Sequence, residues 1–264
     1  MLKKLKKAYY NICLSGDKTI QLESKINELS QKCDELNRQL VLILGNTNDL
    51  VHANFFHDTI KHSRWFDEPL SLSGWAIGYN YAYILYRVLD DMKPKRILEL
   101  GLGQSTKIVN EYVKHHDNVE HHVVEHDKDW IEFFKNDTEI SEMSHFHLLE
   151  CYKKKYENVE LNAYKGFKKE FKDQKFDLVV VDGPIGSGKE YSRMDVLDLV
   201  PENLAESFVI LFDDCERKGE QNTIRLLEEK LRKNNIEFCS GYQYCGRTNA
   251  YICVSTDLKF LCSI

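Results

Sequence analysis

The sequence predicts an α/β protein in which helices cover a mostly parallel β-sheet. Two apolar runs, Ile97–Leu100 and Phe176–Val181, lead into glycine turns, as buried parallel strands do when a helix follows. Strand-like and helix-like patterns alternate along residues 95–235, and two strand patterns around residues 246–249 then close the chain. The alternation predicts consecutive βαβ units, and the closing pattern predicts an antiparallel hairpin.

Length and composition limit the classes of protein to which this chain can belong. Its 264 residues are enough for one substantial core and an accessory element. A formal net charge of -6 provides no general attraction for a polyanion, so a nucleic acid is not expected as a partner. The 8 cysteines form no Cys-x-x-Cys pair, and neither a secretory signal nor an apolar run of ~20 residues is found. We therefore expect a cytoplasmic protein with reduced thiols, no zinc site and no transmembrane segment.

Residues 1–50 predict a long N-terminal helix. Its apolar residues recur with alternating steps of four and three, which is heptad spacing. They are Leu22, Ile26, Leu29, Cys33, Leu36, Leu40 and Ile43. Gly45 and Asn46 are expected to end this helix. We expect a coiled coil through which the protein forms a homo-oligomer; the alternative is an amphipathic helix that lies on its own domain.

Residues 51–94 predict a helical cap, and residues 95–264 predict the main domain. In the cap, an apolar helix is expected to begin within Ser71–Trp75, to continue through Leu89 and to end before Pro94. This helix leads directly into the first strand. Ser73 and Trp75 are therefore expected beside any ligand held at that strand.

The remaining elements follow in order from the periodicity of apolar residues. Expected helices cover residues 104–116, 127–135, 191–200 and 221–235, and expected strands cover residues 121–125, 176–181, 208–212, 236–244 and 250–255. Two segments fit the third strand, residues 146–150 and residues 159–161, and the first is favoured. Residues 153–156 then form a polar loop or an extension of a strand.

A phosphate-binding loop is suggested by Gly183–Lys189, which has the spacing Gly-x-x-x-x-Gly-Lys after a strand. The next residue should be Ser or Thr, whose hydroxyl binds magnesium, but it is Glu190. A carboxylate there would face the phosphates with like charge. The sequence therefore argues against hydrolysis of a nucleoside triphosphate and against kinase activity.

The glycine turn after the first strand predicts a cofactor site. A dinucleotide fingerprint requires Gly or Ala where this chain has Thr106. Glu99 would face a pyrophosphate unfavourably, whereas it suits a cofactor that carries an ammonium group. Glu125 follows about twenty residues later, at the end of the second strand, where a carboxylate accepts ribose hydroxyls in both cofactor classes.

Four segments together resemble the motifs of class I S-adenosylmethionine (SAM) dependent methyltransferases: Ile97–Thr106, Asp177–Pro184, Tyr191–Arg193 and Leu211–Arg217. Within that family they are similar to small-molecule enzymes of bacterial surface-polysaccharide and sugar biosynthesis. The resemblance covers residues 70–255. It implies a Rossmann-like sheet of seven strands with the last antiparallel, and SAM as cofactor. It further implies O-methylation of a sugar-like, nucleotide-linked or phosphorylated acceptor in capsular polysaccharide biosynthesis.

The resemblance also implies roles for individual residues around the cofactor. Gly101 and Gly103 would let the methionine part approach the backbone, and Glu99 would orient its ammonium group. Ser105 would contact its carboxylate at the start of a helix. The other residues implied at the cofactor are Glu125 for the ribose, Leu149 and Glu150 for the adenine, and Asp182.

Three acidic residues are expected to form the catalytic group. Asp182 follows the fourth strand, and Asp213 and Asp214 follow the fifth. Three oxygen donors at neighbouring strand ends suit Mg²⁺ or another divalent cation, as in metal-dependent O-methyltransferases. Two alternatives remain open: Asp182 or a nearby histidine acts as a general base without metal, or the acids cap the following helices. Such relatives often carry Asp-Gly-Asp-His after the fourth strand, where this chain has Pro184 and Ile185.

Two arginines near the acidic group, Arg193 and Arg217, are expected to bind a phosphate or carboxylate of the acceptor. Ion pairs with Glu190 or Glu216 are the alternative. Two other functions remain open for the whole chain. One is an NAD-dependent oxidoreductase, disfavoured by Thr106 and the closing hairpin; the other is a non-catalytic scaffold with a SAM fold that acts through residues 17–44.

Overall fold

The computed structural model describes residues 2–72, 76–186, 188–243 and 248–264, with the side chains of residues 8–17 outside the description. Ser73, Trp75 and the first two residues of the predicted hairpin turn at 246–249 therefore lie outside the described residues. The chain divides into two compact units, Met1–Thr47 and Asn48–Ile264. The functional division at residues 50 and 94 stays a prediction.

Helix α1 covers Leu2–Ile60 and is longer than the sequence predicts. The expected end at Gly45 and Asn46 is wrong. A glycine inside a helix costs only about 1 kcal/mol relative to alanine, which the neighbouring turns outweigh. Just beyond it, the Thr47 hydroxyl donates a hydrogen bond to the Ile43 carbonyl at 2.8 Å, as a side chain within a helix does.

The heptad residues of α1 are exposed. Leu22, Ile26 and Leu29 are 60%, 62% and 61% accessible, and Leu36, Leu40 and Ile43 are similar. Cys33 is also exposed. These seven residues, Leu22, Ile26, Leu29, Cys33, Leu36, Leu40 and Ile43, are called the heptad stripe below.

The described residues of the second unit include seven strands that form one sheet: β1 Arg96–Leu100, β2 Glu120–Glu125, β3 Ser144–Leu148, β6 Phe176–Val181, β7 Leu204–Phe212, β8 Phe238–Gln243 and β9 Ala250–Ser255. Their order in the sheet is β3-β2-β1-β6-β7-β9-β8. The strands β3, β2, β1, β6 and β7 are parallel, and β9 is antiparallel to both of its neighbours. The predicted α/β sheet of seven strands with the last antiparallel is confirmed.

Helices cover both faces of this sheet. The helices of the second unit after α1 are α2 Tyr79–Met92, α3 Gln104–His115, α4 Lys128–Asp137, α5 Phe167–Glu170 and α6 Lys218–Lys233. Alternate residues of a central strand enter different cores: Leu178 and Val180 pack with α2 and α3, and Val179 and Val181 pack with α6. Burial on both faces explains why this strand is a continuous apolar run.

Several local predictions differ from the structure in their bounds or in the type of element. Helix α2 begins at Tyr79, because Gly78 is extended and serves as its N-cap. The favoured segment does form the third strand, with the bounds Ser144–Leu148. Residues 153–156, expected as a polar loop or an extension of a strand, and residues 159–161 belong to a separate hairpin, β4 Cys151–Tyr156 with β5 Val159–Tyr164. The helix expected over residues 191–200 is the short 3₁₀ helix Met194–Leu199.

No helix in the described ranges is long and apolar enough to cross a membrane.

Candidate active site

A cavity of about 490 Å³ opens at the carboxyl ends of β1, β2 and β6. This is where the order of the sheet changes direction, since β2 and β6 lie on opposite sides of β1, and open α/β sheets bind ligands at such a point. The volume lies in the range of small-molecule and cofactor pockets. Its lining includes Gly101, Gly103, Glu125, Trp130, Tyr164 and Asp182.

Two glycine turns pack backbone to backbone at the base of the cavity. Gly101 has φ +99°, and a Cβ atom there would lie 3.0 Å from the Gly183 nitrogen. A Cβ atom on Gly183 would lie 2.8 Å from the Gly101 Cα atom and 2.6 Å from the Tyr164 hydroxyl. The turns after β1 and β6 therefore approach closely because neither has a side chain at the contact.

Gly103 differs from these two glycines, because a Cβ atom there would meet no atom within 4 Å. It stands at the start of α3, where its backbone N–H donates to the Thr106 hydroxyl at 3.0 Å. Thr106, the residue that departs from the dinucleotide fingerprint, thus stabilises the glycine turn through this hydrogen bond. The open space beside Gly103 belongs to the cavity and is available to a ligand.

Glu125 is held rigidly at the end of β2. One carboxylate oxygen accepts hydrogen bonds from the backbone N–H groups of His126 and Asp127 at 2.6 and 3.0 Å. The other accepts one from Leu102 at 3.1 Å. Nδ1 of His126 also lies 2.6 Å from the first of these oxygens. A carboxylate has about four acceptor positions, so the oxygen that meets only Leu102 keeps a position for one hydroxyl of a ribose.

Two aromatic residues of the lining were not found by sequence reasoning. Trp130 is 40% exposed, and its indole N–H donates to the Leu102 carbonyl at 2.9 Å. The sequence signal that could have indicated Trp130 was a large apolar residue on a polar helix directly after β2 and Glu125. Tyr164 comes from β5, and no sequence pattern linked that hairpin to the site. Leu149 and Glu150, expected at the adenine, are not in the lining; Glu150 instead pairs with Lys165 at 2.8 Å.

Glu99 and Ser105 are buried and do not line the cavity. One carboxylate oxygen of Glu99 lies 3.1 Å from Nε2 of His121. The other has no hydrogen-bond partner among the described residues. A buried carboxylate oxygen without a donor is costly, and an ammonium group would satisfy it. Because Glu99 is fully buried and outside the lining, a ligand in the cavity does not reach this oxygen; the features that fit a cofactor with a ribose are Glu125 and the space beside Gly103.

The three predicted acids do meet, but an arginine lies among them. The Arg193 side chain is 3% exposed, and its Nη2 atom lies 2.9 Å from Asp182 and 2.5 Å from Asp214. Its Nη1 atom donates to the Asp213 carbonyl at 2.8 Å. Burial lowers the pKa of Arg193, but Asp182 and Asp214 outweigh it, so the guanidinium stays charged.

These contacts correct the predicted role of Arg193. A guanidinium that is buried and already bonded to two carboxylates has no open face for an acceptor. The alternative partner, Glu190, is also wrong. Arg217 pairs with Asp214 at 2.6 Å and with Glu216, its predicted alternative partner, at 3.7 Å. Its side chain is 31% exposed and so still reaches solvent.

Burial also changes the acidic residues themselves. It raises the pKa of Asp182 to about 6, an effect that Arg193 opposes and Asp214 supports. Burial raises the pKa of Asp213 well above its usual value, and the charges of Asp182 and Asp214 add to this. Asp182 is the member of the group that lines the cavity. A carboxylate there with a pKa near neutrality suits a general base.

The predicted divalent cation does not fit this arrangement. In the part of the chain that the structure describes, no group of three His, Cys, Asp or Glu residues is arranged to hold a metal ion. One carboxylate oxygen of Asp182 and one of Asp214 bond to Arg193.

Comparison with known proteins gives a likeness of fold. The sequence matches no protein-family model and no curated protein. A Klebsiella pneumoniae protein with a provisional assignment as an O-methyltransferase superposes with a TM-score of 0.52 at 13% identity, over 76% of this chain and 96% of its own. The O-methyltransferase TomG from Streptomyces achromogenes, solved with SAM, gives 0.49 at 13% identity, over 79% and 89%. An O-methyltransferase from Bacillus cereus, solved with S-adenosylhomocysteine, gives 0.49 at 11%, over 80% and 91%.

The chain therefore has the α/β, Rossmann-like fold of the methyltransferases, with a long N-terminal helix.

Proposed function

We propose that this protein is a SAM-dependent methyltransferase that methylates a hydroxyl group of a small acceptor. The observation that carries the proposal is the Glu125 carboxylate, which three backbone N–H groups orient beside the cavity of the glycine turn. Gly101, Gly103 and Glu125 line the cavity and would hold the cofactor, whereas Glu99 is buried outside the lining. When bound, SAM supplies an electrophilic methyl group on a sulfonium.

The residues of the chain would then place the acceptor and accept its proton. Alignment of the acceptor oxygen with the methyl group contributes up to ~7–11 kcal/mol in favourable cases. A hydroxyl is a poor nucleophile until a base takes its proton. Asp182 is suited to that role because it lines the cavity and its pKa is raised to about 6.

The sugar-like acceptor of capsular polysaccharide biosynthesis belongs to this proposal on the strength of the sequence resemblance. A nucleotide-linked or phosphorylated acceptor requires a cation beside the cavity. Because Arg193 is buried, Arg217 is the candidate: it lies outside the cavity lining and pairs with Asp214, but its side chain is 31% exposed. A bidentate guanidinium is the preferred protein partner of a phosphate.

Calorimetric titration of the full chain with S-adenosylhomocysteine tests the cofactor class. We expect micromolar binding to the wild type and at least a tenfold loss in Glu125→Gln. Glu132→Gln is the matched control, since Glu132 lies on α4 and is 61% exposed, and it should bind like the wild type. Binding of NAD or ATP in place of S-adenosylhomocysteine, or equal binding by the Glu125 variant, would contradict the proposal. Thermal melting of each variant separates lost binding from lost folding.

We further propose that the heptad stripe joins two or more copies of this chain. Six of its seven residues are Leu or Ile and more than half exposed, and burial of each such side chain contributes ~1.5–3 kcal/mol. Leucines recur every seventh residue at 22, 29 and 36, with Ile26 and Cys33 at the other core position. Leu40 also occupies that second position. The pairing of leucine with β-branched Ile26 is the pattern that favours a parallel coiled coil of two helices.

Light scattering on the full chain tests this second proposal. We expect a dimer for the wild type and a monomer for the double variant Leu29→Asp, Leu36→Asp. Gln31→Asp, on the outer face of the same helix, should remain a dimer. A monomeric wild type would refute self-association and leave the methyltransferase proposal untouched.

A further inference from the structure

We infer that the guanidinium of Arg193 takes the place of a divalent cation at the acidic end of the cavity, so that the site works without a metal. The catalytic part of this inference depends on the proposed methyl transfer, whereas its structural part does not. The geometry of Arg193 and its acidic partners carries it.

The guanidinium occupies the position where a cation would bridge the acids. It bonds to Asp182, which follows β6, and to Asp214, which follows β7. A bound Mg²⁺ or Ca²⁺ requires oxygens at about 2.0–2.6 Å. One oxygen of Asp182 and one of Asp214 already accept hydrogen bonds from a planar group that the protein itself supplies.

The backbone holds Arg193 in this position. Nη1 donates to the Asp213 carbonyl at 2.8 Å, so the guanidinium is also tied to the end of β7 itself. Both Arg193 and Asp214 adopt positive φ angles, +55° and +60°, which residues other than glycine rarely adopt. Such strain persists only where the surroundings enforce it, and it is concentrated at functional sites.

The charges around the cavity also favour an internal cation. Arg193 lies among Asp182, Asp214 and Glu220, whose Oε1 atom is 3.7 Å from Nε. Both carboxylate oxygens of Glu220 lack a hydrogen-bond partner among the described residues, and Glu220 is fully buried. Removal of the arginine would leave buried carboxylates without a counter-charge, which is strongly unfavourable.

In the proposed reaction, this arrangement assigns charge compensation to Arg193 and proton acceptance to Asp182. The acceptor oxygen forms its bond to the methyl carbon while the bond from that carbon to sulfur breaks. The sulfonium becomes a neutral thioether, and the proton of the hydroxyl passes to Asp182. Arg193 stabilises the Asp182 carboxylate before the transfer and needs no exchangeable ion. Arg193 is therefore a positioning residue.

Binding of Mn²⁺, followed by electron paramagnetic resonance, tests the inference on the full chain without any assay of catalysis. We expect no stoichiometric binding to the wild type at millimolar Mn²⁺. Arg193→Met removes the cation and leaves the acids, so Mn²⁺ should bind this variant at least tenfold more tightly and raise its melting temperature. Arg225→Met is the control, because Arg225 is a 58% exposed surface residue paired with Glu229, and it should behave like the wild type.

Stoichiometric binding of Mn²⁺ to the wild type, weakened by Asp214→Asn, would overturn the inference, and this result does not depend on whether Arg193→Met folds. Binding of S-adenosylhomocysteine is measured on the same samples. If the wild type does not bind S-adenosylhomocysteine, the proposed function is refuted. If the wild type binds Mn²⁺, only the internal cation is refuted. Where methyl transfer is measurable, EDTA should change its rate less than twofold.

Discussion

Gly183 and Gly103, two glycines that line the cavity, should respond differently to substitution by alanine. Gly183→Ala places a methyl group 2.6 Å from the Tyr164 hydroxyl and 2.8 Å from the Gly101 backbone. Gly103→Ala places it in open space, at a residue whose φ of -168° any amino acid adopts. The first change should therefore destabilise the fold, and the second should affect only a ligand in the cavity.

The magnitudes follow from these contacts. Overpacking against backbone atoms costs about 1–3 kcal/mol, which lowers the melting temperature of a domain of this size by roughly 2–12 °C. Exchange of glycine for alanine at a helix N-cap costs under about 1 kcal/mol, so Gly103→Ala should melt within about 4 °C of the wild type. A methyl group in the path of the cofactor should nevertheless weaken S-adenosylhomocysteine at least tenfold, or about 1.4 kcal/mol.

Differential scanning calorimetry and isothermal titration of both variants measure these effects side by side. Wild-type affinity in a folded Gly103→Ala would refute the placement of the cofactor against the first glycine turn. A wild-type melting temperature for Gly183→Ala would refute the close backbone contact between the two turns. Because the two outcomes are independent, each part of the reasoning is tested separately.

Three further predictions follow from the charges and rings at the site. Because the raised pKa of Asp182 is about 6, kcat/KM should rise roughly tenfold between pH 5 and pH 7 and then level off, and Asp182→Asn should remove this rise in a pH-rate profile. Burial raises the pKa of Asp195 to about 7, so the stability that its neutral carboxyl group contributes is complete below pH ~4 and is lost as the pH rises through 7. The melting temperature of Asp195→Asn should therefore rise relative to that of the wild type from pH 5 to pH 8. A constant difference in melting temperature would contradict a buried neutral acid at this position. Trp130 lines the cavity, so binding of S-adenosylhomocysteine should change its fluorescence. If Trp130→Phe loses this fluorescence change but still binds the ligand by calorimetry, the change is assigned to Trp130.

Much of the sheet was predictable from local pattern. The strand Phe176–Val181 is apolar because both of its faces are covered, and a continuous apolar run is apparent in the amino-acid sequence itself. The positions of Glu125, Gly101 and Gly103 at the cavity were also predictable, since each follows directly from a short strand-to-helix segment, while their roles stay predictions. The antiparallel last strand agreed with expectation because the closing hairpin reverses the direction of the chain.

The sequence alone determined the fold class, the position of the glycine turn and the heptad stripe, because each is encoded in residues close together along the chain. Tertiary structure decided which groups meet. Tyr164 reaches the cavity from a hairpin that sequence reasoning left outside the site, and Arg193 turns inward onto Asp182 and Asp214. The spacing of charged residues does not reveal such a pairing, since a buried charge selects its partner through desolvation and three-dimensional proximity.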